Sequence, residues 1–398
     1  MVATATLATL VVAAAASLFM AWAIGAGSSG STPFAPAVGA NAISVMRAGF
    51  FVGILGFAGA VLQGAAVTDT VGNELVVLPG GGLTAVAATI ALTIAALLVA
   101  VGIFAGYPIA TAFTVTGAVI GVGIAMGGGP AWDQYAVIGG MWIAMPFVGA
   151  AMAYLTARFL RNESVPERRA VALLGALVGL ALVHIKFVLL APGENQASIA
   201  TAVARAVGGG SLVEILVSLA AVVLAAGLLT ADMRRDATGG QRRFLLALGG
   251  LVAFSAGGSQ VGLAIGPLQP LLLSESGPTV SITVLLVFGG IGLIAGSWTG
   301  APRMIKAVSQ DYSSLGPRRS IAALMAAFAL AQSAVYLGVP VSFNEIIIFS
   351  IIGSGFAAGE GEVSARKIGY TVLAWIGSLV LAFGLSYGVY TGIAMAFF

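Results

Sequence analysis

The chain contains no cysteine and a single histidine, His184. Without cysteine there is no disulfide, no thiolate metal ligand and no cysteine nucleophile. One imidazole excludes a multi-histidine metal site. Charge is scarce as well: Asp, Glu, Lys and Arg make up 8% of the 398 residues, against roughly 25% in soluble domains. Such a surface cannot be wetted all round, and lipid is the solvent that suits the remainder. The sequence also lacks a Walker motif, an HExxH helix and a Ser-His-Asp set, and its Gly-rich stretches do not follow a strand. Enzymatic chemistry, resident cofactors and metals, and ATP-driven pumping within this chain are not indicated. A net charge of +3 gives no footprint for nucleic acid.

What the chain has in quantity is apolar length. Hydrophobic residues make up 59%, and the mean hydropathy is +1.07. Twelve apolar segments, each near the 17–25 residues that cross a bilayer, fall at about 3–24, 42–65, 85–105, 108–126, 137–157, 170–190, 211–231, 244–265, 280–299, 320–337, 340–358 and 370–396. The fold class expected is an all-α polytopic membrane protein. The first run has no Lys or Arg before it, and the first basic residue is Arg47, so it reads as a membrane span rather than a signal peptide. The 56 glycines suit close helix packing and broken helices.

Basic residues gather in four loops: Arg158, Arg161, Arg168 and Arg169; Arg234, Arg235, Arg242 and Arg243; Arg303, Lys306, Arg318 and Arg319; Arg366 and Lys367. Twelve alternating spans place all four on one side, with Arg47 nearby. Asp69, Glu74, Asp133, Glu194 and Glu275 fall on the other, with Arg205 as their only basic neighbour. The positive-inside rule then puts the basic loops in the cytoplasm and both termini outside, in the plasma membrane.

The sequence repeats itself. Residues 106–129 read GYPIATAFTVTGAVIGVGIAMGGG and residues 338–361 read GVPVSFNEIIIFSIIGSGFAAGEG, with 8 of 24 positions identical at an offset of 232 residues. Seven segments, an odd number, precede the second copy, so it enters the membrane from the opposite side. Two inverted-topology repeats with broken or re-entrant helices are expected, a plan common among secondary transporters. The division drawn is 1–130 for the first repeat, 131–240 for connecting spans, and 241–398 for the second repeat and a C-terminal span.

In such folds the site lies where helices break near mid-membrane. One pair of candidate breaks is Gly25 to Pro33, which includes Gly27, Ser28, Ser29 and Thr32, and Gly257-Gly258-Ser259-Gln260. Unwound glycines, hydroxyls and half-helix N-termini suit an anion; an ordinary Gly/Ser loop or packing face is the competing reading. The other pair surrounds Pro108 and Pro340, where Thr111, Thr114, Thr116, Ser342 and Asn344 are candidates to line a cavity. Glu345 is an acid inside an apolar segment, read either as a proton- or cation-coupling group or as an interfacial or structural carboxyl. Lys186 and His184 are read as interfacial, with Lys186 snorkelling to headgroups.

At these breaks the sequence resembles the PiT family of inorganic phosphate transporters, which also includes sulfate permeases. The run from Phe254 to Pro267, ending Ala264-Ile265-Gly266-Pro267, is similar to the second copy of that family's GANDVAN-type motif. Residues 24–39 followed by Ala40-Asn41-Ala42-Ile43-Ser44 resemble the first copy. Gly106-Tyr107-Pro108-Ile109-Ala110-Thr111 and Gly338-Val339-Pro340-Val341-Ser342 match the start of its GLPVS motif, and the run from Arg303 to Val308 resembles a cytoplasmic segment before it. The family's Asn-Asp is Ser259-Gln260 here and its later Asn is Leu263; in the first copy the Asp position falls among Gly27, Ser28 and Ser29. The STTH tetrad is Ala110-Thr111-Ala112-Phe113 and Ser342-Phe343-Asn344-Glu345. The resemblance implies a secondary transporter of inorganic phosphate, coupled to H+ or Na+. The binding residues expected are Gly25, Gly27, Ser28, Ser29, Thr32, Thr111, Gly257, Gly258, Ser259, Gln260, Ser342 and Asn344, with Glu345 in coupling. A sulfate or other oxyanion permease, and a non-transporting sensor or scaffold on the same fold, are the alternatives. The oligomeric state, homo-oligomer included, is left open.

Overall fold

The structure, a computed structural model, describes residues 2–190, 196–272, 280–312, 315–357 and 365–397. Glu194, Glu275 and the end of the second repeat segment, 358–361, lie outside them. Each of the twelve apolar segments carries a helix: α1 Val2–Gly27, α2 Val45–Gln63, α3 Ala85–Ala105, α4 Thr111–Ala125, α5 Trp132–Leu160, α6 Glu167–His184, α7 Ser211–Arg235, α8 Ala237–Ile265, α9 Ile282–Thr299, α10 Pro317–Leu337, α11 Phe343–Phe356 and α12 Ala365–Phe397. Among the described residues nine of these are long and apolar enough to cross a membrane. The exceptions are α6, with Glu167, Arg168 and Arg169 in its first turn, and α4 and α11, of 15 and 14 residues. At 1.5 Å per residue the last two reach about 22 Å, short of a hydrocarbon core of about 30 Å. Among the described residues strand is confined to two ladders of two residues per strand, Val76–Val77 on Gly129–Pro130 and Lys186–Phe187 on Ala197–Ser198.

The repeat is written into the helix boundaries. Helices α3 and α10, and α4 and α11, start 232 residues apart. The stops are equivalent too. Gly106 (φ +75°) ends α3 and Gly338 (φ +66°) ends α10. Only glycine takes this left-handed conformation without strain, and the proline two residues on cannot continue the helix. Packing between copies is reciprocal: α1 lies on α9 and α8 on α2, α4 on α12 and α11 on α5. Helices α6 and α7 stand between the copies and pack on each other.

These crossings are close because glycine makes them so. A Cβ on Gly25 would collide with the Leu293 carbonyl of α9, and one on Gly257 with the Gly56 carbonyl of α2. Gly27 faces Ile103 and Gly258 faces Gln63. Gly257-Gly258-Ser259-Gln260 is therefore not a break: it sits inside α8, which continues to Ile265. Gly25 and Gly27 close the C-terminal end of α1 rather than opening a helix N-terminus. Small residues at a membrane crossing let two backbones approach, and that is what these glycines do. Gly257→Ala is expected to lower stability by about 1–3 kcal/mol through overpacking, read as a lower thermal midpoint in detergent.

Contacts link the basic loops to one another. Arg318 grips Glu167 through two bonds of 2.7 and 3.0 Å, and Gln241 donates to the same carboxylate. Arg242 donates to the Ala42 carbonyl at 2.9 Å and Arg161 to that of Ala357 at 2.9 Å, while Lys367 stands over the Tyr312 ring. Away from these loops, α7 turns Leu212, Ile215, Leu219, Val223 and Leu228 outward, with Val223 70% exposed. A helix this apolar and this uncovered belongs in lipid: the protein is an integral membrane protein.

Candidate functional site

The loops that follow Gly106 and Gly338 each turn a short helix back into the interior. Helix α4 begins after Ala110 and α11 after Ser342, and neither residue caps its helix through a side chain. The first turn of each therefore carries backbone N–H groups that have no intrahelical partner and a partial positive charge.

Two amides hold these helix starts together. Thr111, first residue of α4, donates to Gln260 Oε1 at 2.7 Å, and Ser28 donates to the same oxygen at 3.3 Å. Gln260 Nε2 donates to the Val341 carbonyl, just before α11. Asn344, in the first turn of α11, crosses the other way: its Nδ2 donates to the carbonyls of Ile109 at 2.6 Å and Gly27 at 2.9 Å. Both amides come from the second half: Asn344 clamps the loop of the first half and Gln260 that of its own, and Ser28 and Gln260, which touch, are 232 residues apart.

The cluster is dry and incompletely paired. Ser28, Thr32, Thr111, Ser259, Gln260, Ser342 and Asn344 are all inaccessible to solvent, and Ser29 and Glu345 are 2% exposed. Ser342 Oγ, Asn344 Oδ1 and Glu345 Oε2 have no hydrogen-bond partner. The orientation of the Asn344 amide is fixed by chemistry: two carbonyls can be bonded only by its NH2, which leaves the oxygen free. A buried polar atom without a partner costs about 1–3 kcal/mol, so three within one helical turn mark a place built for something polar to enter.

The residues singled out in the sequence divide into groups. Ser28, Thr111, Gln260, Ser342 and Asn344 meet at the starts of α4 and α11, with Ser259 beside Gln260 and Glu345 next in sequence to Asn344. Ser31 and Thr32 hydroxyls turn back to the Ser28 carbonyl, both at 3.1 Å, and shape that turn. Thr114 bonds Ser378 of α12 at 3.0 Å, and Thr116 Oγ1 is buried without a partner. Gly25, Gly27, Gly257 and Gly258 lie at helix crossings. The helix N-termini expected at residues 25–32 and 257–260 are instead those of α4 and α11. Glu345 is buried, in the first turn of α11. His184 ends α6, with its ring Nε2 2.9 Å from Ser218 Oγ, and Lys186 lies beyond that helix in a short strand.

The sequence reading missed two tryptophans. Trp142 of α5 donates to the Pro340 carbonyl at 2.9 Å, and Trp375 of α12 donates to the Pro108 carbonyl at 2.7 Å. Pro108 and Pro340 lie in the loops between helices, where their carbonyls have no helical N–H partner, and an indole from the other copy takes each one. Phe113 stacks on Trp142 with centroids 3.9 Å apart. The signal was present as two Trp-Ile pairs, Trp142-Ile143 and Trp375-Ile376, almost at the repeat spacing. Trp142→Phe or Trp375→Phe keeps the ring and strands a buried carbonyl, an expected cost of about 1–3 kcal/mol. The checks are thermal unfolding in detergent and the initial rate of transport.

Comparisons with known proteins agree with this fold. The phosphate transporter family matches residues 24–386. A protein of Chlamydia trachomatis serovar D, provisionally named a phosphate permease, is 27% identical over 90% of this chain and 92% of its own. The chloroplastic inorganic phosphate transporter 2-1 of Arabidopsis thaliana is 25% identical over 90% of this chain and 68% of its own. A solved structure titled as the sodium-dependent phosphate transporter superposes with a TM-score of 0.83, covering 98% of this chain and 99% of that one at 21% identity, a likeness of fold. These proteins are carriers rather than enzymes. With a family match that spans the fold and both halves of the site, the chain belongs to the phosphate transporter family.

Proposed function

We propose that the chain carries inorganic phosphate across the membrane by alternating access, holding the anion where the N-termini of α4 and α11 meet. The observation that carries this reading is the Asn344 amide. Its oxygen is an acceptor held free beside two anion-attracting helix starts and the unpartnered Ser342 hydroxyl. N–H groups and hydroxyls suit any oxyanion. A free acceptor suits one that still carries a proton. Phosphate keeps a P–OH at neutral pH and sulfate does not, so this cluster favours phosphate over sulfate, the alternative the sequence left open.

Alternating access is supported by the reciprocal packing of the two copies. Two half-length helices in equivalent positions, each with its preceding loop held by an indole of the other copy, suit rocking of one repeat against the other around a fixed site. Coupling is assigned to a proton on Glu345, the one carboxyl in the cluster. The basic loops are placed in the cytoplasm, with the termini outside and the protein in the plasma membrane. The units 1–130, 131–240 and 241–398 are proposed with one change: α5, Trp132–Leu160, as the counterpart of α12, joins the first repeat.

Purified protein in proteoliposomes tests the reading. Saturable uptake of labelled phosphate is expected, blocked by excess phosphate and much less by equal sulfate. Equal inhibition by sulfate refutes the selectivity argument, and no saturable uptake of either anion refutes the transporter reading in favour of a scaffold.

A further inference from the structure

Outside this cluster the described residues enclose a cavity of about 560 Å3 between α5, α6 and α10. That is within the range of 300–1,000 Å3 that accepts small molecules. Most of its wall is apolar, with Met152, Leu174, Val178, Met325 and Phe328 among the lining side chains. Its mouth faces hydrocarbon: Leu173 and Leu177 of α6 are 55% and 56% exposed, and Leu337 of α10 is 59% exposed.

One end is polar and cationic. The half-buried Lys186 places its Nζ 4.1 Å from the centroid of the Tyr336 ring, and it joins no ion pair among the described residues. His184 lines the same end. The acid on the neighbouring helix, Glu214, stands one turn before Ser218 on α7 and does not line the cavity. The inner end is closed by amides: Gln332 donates to Ser255 Oγ at 2.6 Å and to Gln63 Oε1 at 3.3 Å, and Gln63 donates to the Lys186 carbonyl at 3.2 Å.

We propose that this cavity binds an anionic phospholipid, its phosphate paired with Lys186 and an acyl chain lying along α6 and α10. An apolar wall with a lateral mouth admits a chain that never has to leave hydrocarbon. A single unpaired cation at one end attracts a phosphate, as basic pockets between membrane helices do. A water-filled vestibule for a small anion would instead be lined by polar groups along its length. Gln63 also lies against Gly258, next to Ser259 and Gln260, so an occupied cavity abuts the cluster at α4 and α11. The lipid site stands whether or not phosphate is the cargo.

The test is native mass spectrometry of the purified full chain incubated with equal phosphatidylglycerol and phosphatidylcholine. Wild type is expected to retain phosphatidylglycerol about fivefold over phosphatidylcholine, the worth of one cation near a lipid phosphate. Lys186→Met is expected to erase that preference, and Ala181→Trp, which fills the cavity, to remove retention of both lipids. Equal retention by wild type, which needs no variant to fold, overturns the proposal. So does a Lys186→Met protein that keeps the preference. A raised KM for phosphate uptake with lipid retention unchanged identifies the cavity as an anion vestibule and overturns it equally.

Discussion

Asn344→Leu is expected to lower saturable phosphate uptake about 100-fold, equivalent to about 2.7 kcal/mol, while the protein still inserts and can be purified. Leucine has nearly the shape of asparagine and none of its polar atoms. The substitution strands the carbonyls of Ile109 and Gly27, each now bonded by the Asn344 NH2 at 2.6 and 2.9 Å. Those two bonds hold the start of α11 against the Pro108 loop and the end of α1. The same change removes the acceptor assigned to the P–OH of the substrate. Gln260→Leu separates the two losses. It breaks the links from Thr111, Ser28 and Val341 that hold the helix starts and leaves the free acceptor in place. A deficit larger in Asn344→Leu than in Gln260→Leu at similar thermal stability assigns the difference to substrate contact. Uptake rates normalised to reconstituted protein supply the comparison, and wild-type rates in Asn344→Leu contradict it.

The second large effect concerns coupling. Glu345→Gln is expected to abolish accumulation driven by a proton gradient and to leave phosphate–phosphate exchange at equal pH within about threefold, the change being less than 1 kcal/mol in the binding step. The carboxyl is 2% exposed, lies in the first turn of α11, and has a free Oε2. Ionisable groups so placed in a membrane protein pair with something or carry a proton. Glutamine keeps size and polarity but cannot release a proton. The measurements are uptake under an imposed pH gradient and counterflow with none. A variant that still accumulates phosphate under a pH gradient, or a wild type driven by sodium alone, removes Glu345 from coupling.

The membrane fold was legible because lipid demands helices with their backbone bonds satisfied internally. All twelve apolar runs are helical, and the repeat appears again in the starts of α3 and α10 and of α4 and α11. Twelve full crossings were not legible as such: the runs at 108–126 and 340–358 include residues of the Pro108 and Pro340 loops, and the helices within them are only 15 and 14 residues long.

Most residues of the buried cluster at α4 and α11 stand out in the sequence, but the helix ends they meet at do not. Glycine serves both an unwound helix and a tight crossing, and the choice depends on a neighbour distant in sequence. Gly257 meets Gly56, and Gly25 meets Leu293; nothing in residues 25–33 or 257–260 alone reveals those partners. Trp142 and Trp375 were passed over because a tryptophan on an apolar helix is ordinarily read as core or interface. Their use lies in bonds to Pro340 and Pro108 across the repeat.

The most direct test of the central claim is to locate the anion. Arsenate is a protonated tetrahedral analogue of phosphate, and its arsenic scatters anomalously. A crystal structure of the protein with arsenate is predicted to place the arsenic peak between the first turns of α4 and α11, with arsenate oxygens in hydrogen-bond reach of Ser342 Oγ and Asn344 Oδ1. A peak elsewhere, against Lys186 for example, with the cluster at Asn344 unchanged, would contradict the account.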